Sequence, residues 1–180
     1  MKTTLNQIRK HSPCGIKPNN DGSLSGLLKL MKYLGKDETD DEPVSITQII
    51  DSNGLDDAIW CLRAVEGRDK EIRLFAVFCA RKVQHLMINP KSIRAINIAE
   101  KFANGNASAE ELEVARCAAA AVDDAVVVAA AAVAAASVAV VVAAVAAASA
   151  YAAASYAKAT FRDEQEKELR RVCDALEGLK

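Results

Sequence analysis

The chain has 180 residues and a formal charge of −1; 51% of its residues are hydrophobic and only 4% are aromatic. That length suits one domain, or one domain with an appendage, and can bury a core. The near-neutral balance gives no global reason to expect nucleic-acid binding. The five cysteines, Cys14, Cys61, Cys79, Cys117 and Cys173, are scattered and form no CxxC or Cys/His cluster. They indicate free thiols in a reducing compartment, neither a zinc site nor a disulfide framework.

Met1–Lys10 is polar and basic without an apolar run, so no signal peptide is expected and the location reads as cytoplasmic. Residues 11–26 carry Pro13, Gly15, Pro18, Asn19, Asn20, Gly22 and Gly26 and read as loop. A short helix is predicted over Leu27–Leu34, stopped by Gly35. An acidic loop follows, 36–43, ending at Pro43. Ser45 and Gln48 have capping-box spacing for a helix reaching Ser52, with Asn53-Gly54 as its stop. Asp56 and Asp57 stand in the next first turn, where carboxylates favour the helix dipole. That helix should carry Ile59, Leu62 and Val65 inward and end at Gly67. Asp69 can cap the next, over about 70–87, where Ile72, Phe75, Ala76, Cys79 and Val83 recur at three- and four-residue steps.

Asn89-Pro90 pairs a cap with a proline at the first helical position. The helix after it contains Ile93, Ile96, Ile98 and Phe102 and closes at Asn104-Gly105. Ser108 and Glu111 form a second capping box. The fold class is therefore all-α: tandem short amphipathic helices in an irregular bundle or solenoid-like array, followed by long Ala/Val-rich helices. Three segments are expected: an N-terminal segment with loop, 1–26; a multi-helix domain, 27–105; and an Ala/Val-rich helical region, 106–180, packing on it.

Residues 125–157 contain 19 Ala, 9 Val, 3 Ser and 2 Tyr and no charge. Length alone would allow a membrane span. Over 125–143 the eight Val supply only about −2.4 kcal/mol of insertion free energy, Ala is near neutral, and no Trp belt flanks the run. The competing reading is close-packed buried helices, since Ala is the best helix former. One helix from 109 to 160 would be about 78 Å long, too long for a compact domain. A break inside it is expected.

Charge is segregated. Residues 1–36 carry net +6, 37–57 net −8, 58–105 net +5 and 106–124 net −4. The acids of the second segment are Asp37, Glu38, Asp40, Asp41, Glu42, Asp51, Asp56 and Asp57, with no Lys or Arg among them. They suit a basic groove on a nuclease or another nucleic-acid enzyme. They equally suit a solvated loop and helix starts paired within the chain.

No HExxH, GxSxG, GxGxxG or P-loop occurs. His11 and His85 are the only histidines. A nucleophile pair of Cys79 with His85 would need a pocket and an orienting third group. The plainer reading is a structural Cys and a surface His. Trp60 reads as a core residue, and Arg63, Arg73 and Arg81 as solvated charges on exposed helix faces. No enzyme activity, cofactor or metal is expected.

The stretch DSNGLDDAIWCLRAVEGRDKEIRLFAVFCARKVQHL (Asp51–Leu86) resembles a family of bacterial and prophage immunity proteins. The resembling elements are Asp51–Ala64, Arg73–Ala76, Cys79–Arg81 and the turn Ala103–Gly105, with His11–Cys14 similar to the family's N-terminus. The similarity is most specific over 51–105; the segment after Cys14 is longer here, and the Ala-rich tail is richer in Val and uncharged. The resemblance implies a small helical cytoplasmic protein that neutralises a toxin, or a phage-borne anti-defence protein such as an anti-CRISPR blocking a nuclease complex. The expected partner is then a protein, with no direct nucleic-acid contact, and the eight acids above are the expected contact. Alternatives are a membrane-associated protein anchored by 125–157, and a self-assembling structural protein or homo-oligomer.

Overall fold

A computed structural model describes residues 1–11, 25–82, 84–87, 89–120 and 158–178. Among these it contains eight α-helices, two 3-10 turns and one pair of two-residue strands, so the fold is all-α apart from that pair. Two compact units emerge: Met1–Gly67 with Cys173–Lys180, and Arg68–Val172. The boundary at Gly67 falls inside the 27–105 segment.

The first unit begins with strand β1 (Lys2–Thr3) and helix α1 (Leu5–Lys10). The polar, basic N-terminus, read only as a segment with loop, forms regular structure over these residues. Thr4 caps α1 by accepting from Gln7 N at 3.1 Å. Leu5 and Ile8, three residues apart, share one face and are buried. β1 pairs antiparallel with β2 (Val44–Ser45), Lys2 opposite Ser45 and Thr3 opposite Val44. Thr3 Oγ1 also donates to Ala64 O at 2.5 Å.

Helix α2 (Gly26–Leu34) is capped by Ser25, buries Leu27, Leu30 and Met31, and stops at Gly35 in the left-handed conformation, φ 66°. Helix α3 (Ile46–Asn53) has the predicted capping box: Gln48 N donates to Ser45 Oγ at 3.1 Å, and Ser45 N to Gln48 Oε1 at 2.9 Å. Its Ile46, Ile49 and Ile50 are buried. Gly54 then breaks the chain, and helix α4 (Leu55–Cys61) starts with Asp56 and Asp57 in its first turn. The helix predicted to reach Gly67 tightens at Leu62–Ala64 into a 3-10 turn and ends there, because Val65 turns extended to stay buried.

The second unit contains helices α5 (Asp69–Lys82), α6 (Pro90–Ala103), α7 (Ala109–Ala120) and the greater part of α8 (Lys158–Glu177). Arg68, not Asp69, occupies the cap position of α5, since Arg68 O accepts from Ile72 N at 3.0 Å. Asp69 and Glu71 stand in the first turn, where the dipole favours them. α5 also ends at Lys82, short of the predicted 87, and a 3-10 turn over Gln84–Leu86 follows. Arg81 holds that turn by donating to Gln84 Oε1 at 2.7 Å.

The core stripe of α5, Ile72, Phe75, Ala76 and Cys79, is buried as its spacing predicts. Asn89 caps α6 with Pro90 at its first position, and Ser108–Glu111 form the capping box of α7. α6 packs against both α5 and α7. Buried Ala95 and Ala99 on α6, and Ala115 and Ala119 on α7, keep the facing side chains small, which shortens interaxial distance. Phe161, Gln165 and Leu169 form the buried stripe of α8 in this unit, and Gln165 Nε2 donates to Cys79 Sγ at 3.4 Å.

Arg73 corrects the expectation of a solvated arginine. It is 3% exposed, its guanidinium lies 5.1 Å from the Phe102 ring centroid, and burial pushes its pKa down. The loop predicted over 11–26 lies almost wholly outside the described residues. So do Cys14, the Ala/Val run 125–157 with its membrane reading, and the break expected in it. Among the described residues no helix is long and apolar enough to cross a membrane.

Candidate functional site

The eight acids all belong to the first unit, but its fold separates them into distinct roles. Gly35 turns the chain out of α2 into the loop 36–43. Lys36 Nζ then bridges Asp40 Oδ2 and Glu42 Oε2, each at 2.5 Å. Hydrogen bonding to these carboxylates raises the Lys36 pKa, and the bond from Lys36 lowers that of Asp40. Asp40 Oδ1 also accepts from Glu42 N at 3.1 Å.

α1 anchors the same loop. Asn6 N donates to Asp40 O at 3.1 Å, Thr4 Oγ1 to Asp41 Oδ1 at 3.3 Å, and Arg9 Nη1 to Thr39 Oγ1 at 3.3 Å. A loop whose charges would repel is thereby held in one conformation. Asp37 and Glu38 stay exposed, with no hydrogen bond or ion pair among the described residues. They rim a hollow of about 430 Å³ whose floor is Leu27, Leu28 and Met31, with Arg9 and Thr39 also lining it.

Asp51 on α3 and Asp56 on α4 are exposed, and both have further interactions. Asp57 is half-buried and turned to a different place. It lines a cavity of about 180 Å³ together with Ile8, Leu27, Leu30 and Ile49. Trp60 and Cys61 complete its walls from α4. Asn53 Nδ2 donates to Asp57 Oδ2 and to Gly26 O, both at 2.7 Å. Asp57 approaches Gly26 closely: a Cβ at that position would lie 2.6 Å from Asp57 Oδ2, so the carboxylate would have to shift.

Trp60, predicted to be core, is only half-buried beside this cavity. Arg63 stacks its guanidinium 4.3 Å from the Trp60 ring centroid and donates from Nε to Trp60 O at 2.9 Å. Sequence reasoning missed the cavity and this stack. The available signals were Gly26 just inside a helix start and an Arg three residues after a Trp.

The thiol chemistry considered for Cys79 has no support in its surroundings. Cys79 is fully buried, and burial pushes its thiol up to about 12, so it is not a thiolate at neutral pH. Cys61 is raised to about 12 and Cys173 is raised, in both chiefly by burial. His85 is exposed in the turn after α5. Among the described residues no three His, Cys, Asp or Glu side chains are gathered to hold a metal ion.

The chain matches no protein-family model, no curated protein and no solved structure.

Proposed function

We propose that this protein is a protein-binding inhibitor acting in the cytoplasm in bacterial or phage conflict. It is an immunity protein that neutralises a toxin, or a phage anti-defence protein, such as an anti-CRISPR, that blocks a nuclease complex. Two things support the reading. One is the resemblance over residues 51–105. The other, which carries it, is the pair of exposed carboxylates, Asp37 and Glu38, which make no hydrogen bond or ion pair among the described residues and line one hollow with Arg9, Leu27, Leu28 and Met31. Protein interfaces commonly set apolar side chains within a polar, solvent-accessible rim.

The mechanism is occlusion. A nuclease carries a basic surface for phosphates. Carboxylates held on a braced loop compete for that surface and speed encounter by long-range attraction. Because Lys36 fixes Asp40 and Glu42 within the loop, Asp37 and Glu38 should dominate the contact.

The test is a co-purification of the tagged chain followed by affinity measurement on the captured protein. Wild type is compared with Asp37→Lys/Glu38→Lys at low and physiological salt. The reversed variant should bind at least about tenfold more weakly, and wild-type association should slow as salt rises. A partner that binds both variants equally would overturn the assignment.

A further inference from the structure

We propose that the cavity beside Asp57 is an anchor pocket for one arginine side chain of the partner protein. This rests on the reading of the chain as a protein-binding inhibitor and assigns that partner a specific contact.

Size sets the first constraint. At about 180 Å³ the cavity falls below the roughly 300–1,000 Å³ of sites for nucleotides and other small molecules. It can take one side chain. Chemistry sets the second. Leu27, Leu30 and Ile49 provide apolar walls, while Asp57 provides a carboxylate and Asn53 an amide. A guest must therefore combine an apolar stem with a cationic head, which only Arg and Lys do.

Asp57 is placed to receive such a guest. It is half-buried, its hydrogen-bond partner is the Asn53 amide, and among the described residues it has no ion pair. A cation entering beside a half-buried carboxylate is attracted more strongly than beside one in open water. The nearest base in sequence, Arg63, is held on the Trp60 ring and the Trp60 carbonyl and forms no ion pair with Asp57. Asn53 restrains the carboxylate through Oδ2, and among the described residues Oδ1 has no hydrogen bond.

Arginine fits better than lysine for two reasons. Guanidinium is more weakly hydrated than ammonium, so it enters a small apolar cavity at lower cost. It also stacks on indole, as Arg63 already does at Trp60. The net charge of −8 over residues 37–57 draws cations to this part of the chain.

Trp60 is the only tryptophan and lines the cavity, so its emission reports occupancy directly. The probes are acetyl-Gly-Arg-Gly-amide, its citrulline counterpart and its lysine counterpart, titrated into wild type and Asp57→Asn. The Asn variant keeps the shape and a hydrogen-bonding oxygen for Asn53, and circular dichroism checks its fold. The arginine peptide should give a saturable change in Trp60 emission. Its affinity should exceed that of the citrulline peptide, and that of the same peptide for Asp57→Asn, by at least about tenfold. No saturable change, equal response to arginine and citrulline, tighter binding of lysine, or an Asn variant titrating like wild type would each overturn the proposal. Asp37→Lys/Glu38→Lys separates the two claims. If it loses the partner while wild type ignores the arginine peptide, the pocket alone fails. If it keeps the partner while the peptide response is intact, the acidic-rim reading alone fails.

Discussion

Gly26→Ala tests the geometry that fixes Asp57. The new Cβ would lie 2.6 Å from Asp57 Oδ2, 3.3 Å from Asp57 Cγ and 3.6 Å from Asn53 Nδ2. The first distance is well inside contact, so the Asp57 side chain must rotate and give up its bond from Asn53. Overpacking costs about 1–3 kcal/mol, and losing a hydrogen bond to a charged group up to about 1.5–3 kcal/mol, less here because Asp57 is half-buried and water can replace the donor. Alanine's helix preference returns at most about 1 kcal/mol, and less at a first helical position. The net is a destabilisation of about 1–2 kcal/mol. In an Asp57→Ala background the obstacle is gone, and Gly26→Ala should be neutral or slightly stabilising. Urea unfolding of the four proteins, followed by Trp60 emission, measures the cycle; Trp60 lies in the same unit, and the slope should stay constant. A coupling of about 1.5 kcal/mol or more is expected. Additivity within about 0.5 kcal/mol would refute the close approach of Gly26 and Asp57.

Alkylation with iodoacetamide at neutral pH should modify exposed Cys117 in the native protein, while Cys61, Cys79 and Cys173 react only on unfolding; rapid labelling of Cys79 would contradict its burial. Raised thiol pKa values mean that folding favours the neutral form, so stability should be lost as pH climbs above the ordinary thiol value toward about 12, where Cys61 and Cys79 titrate in the fold. The Lys36 clamp has two limits of opposite sign. The lowered Asp40 pKa gives loop order that disappears as pH falls through its folded value, and the raised Lys36 pKa gives order lost as pH rises through its own. Proteolysis within residues 37–42 should therefore be slowest near neutrality, and Lys36→Met should remove the difference between neutral and acid pH. Ser45→Ala removes one side of the capping box of α3 and should cost about 1 kcal/mol in urea unfolding, against no change if the box is idle.

What was legible in the sequence was local. Capping boxes at Ser45–Gln48 and Ser108–Glu111 and stops at Gly35 and Gly54 depend on residues three or four apart, and the structure contains each of them. The stripe Ile72, Phe75, Ala76 and Cys79 declares its buried face by period alone. What was illegible depends on distant segments. β1 is two residues long and exists because Val44–Ser45, about forty residues later, offers it a ladder. Arg73 is buried with its guanidinium beside the Phe102 ring of another helix. No spacing within α5 distinguishes it from an exposed arginine.

The same division governs the acids, with a functional consequence. In sequence they form one run of net −8, and every member contributes equally. In the fold, Asp40 and Glu42 share the single positive charge of Lys36, Asp41 is tied to Thr4, and Asp57 lines a cavity under restraint from Asn53. Asp37 and Glu38 are exposed and make no hydrogen bond or ion pair among the described residues. A partner that recognises the run by long-range field should respond to each reversal in proportion to charge, through its association rate. A partner that reads the fold should respond to Asp37 and Glu38 at the rim and, in dissociation rate, to Asp57 at the anchor, while Asp51 alters little. Single reversals with separate on- and off-rates decide between these. Equal slowing of association at all eight positions, with dissociation untouched, would mean that only the sum of charges matters to the partner.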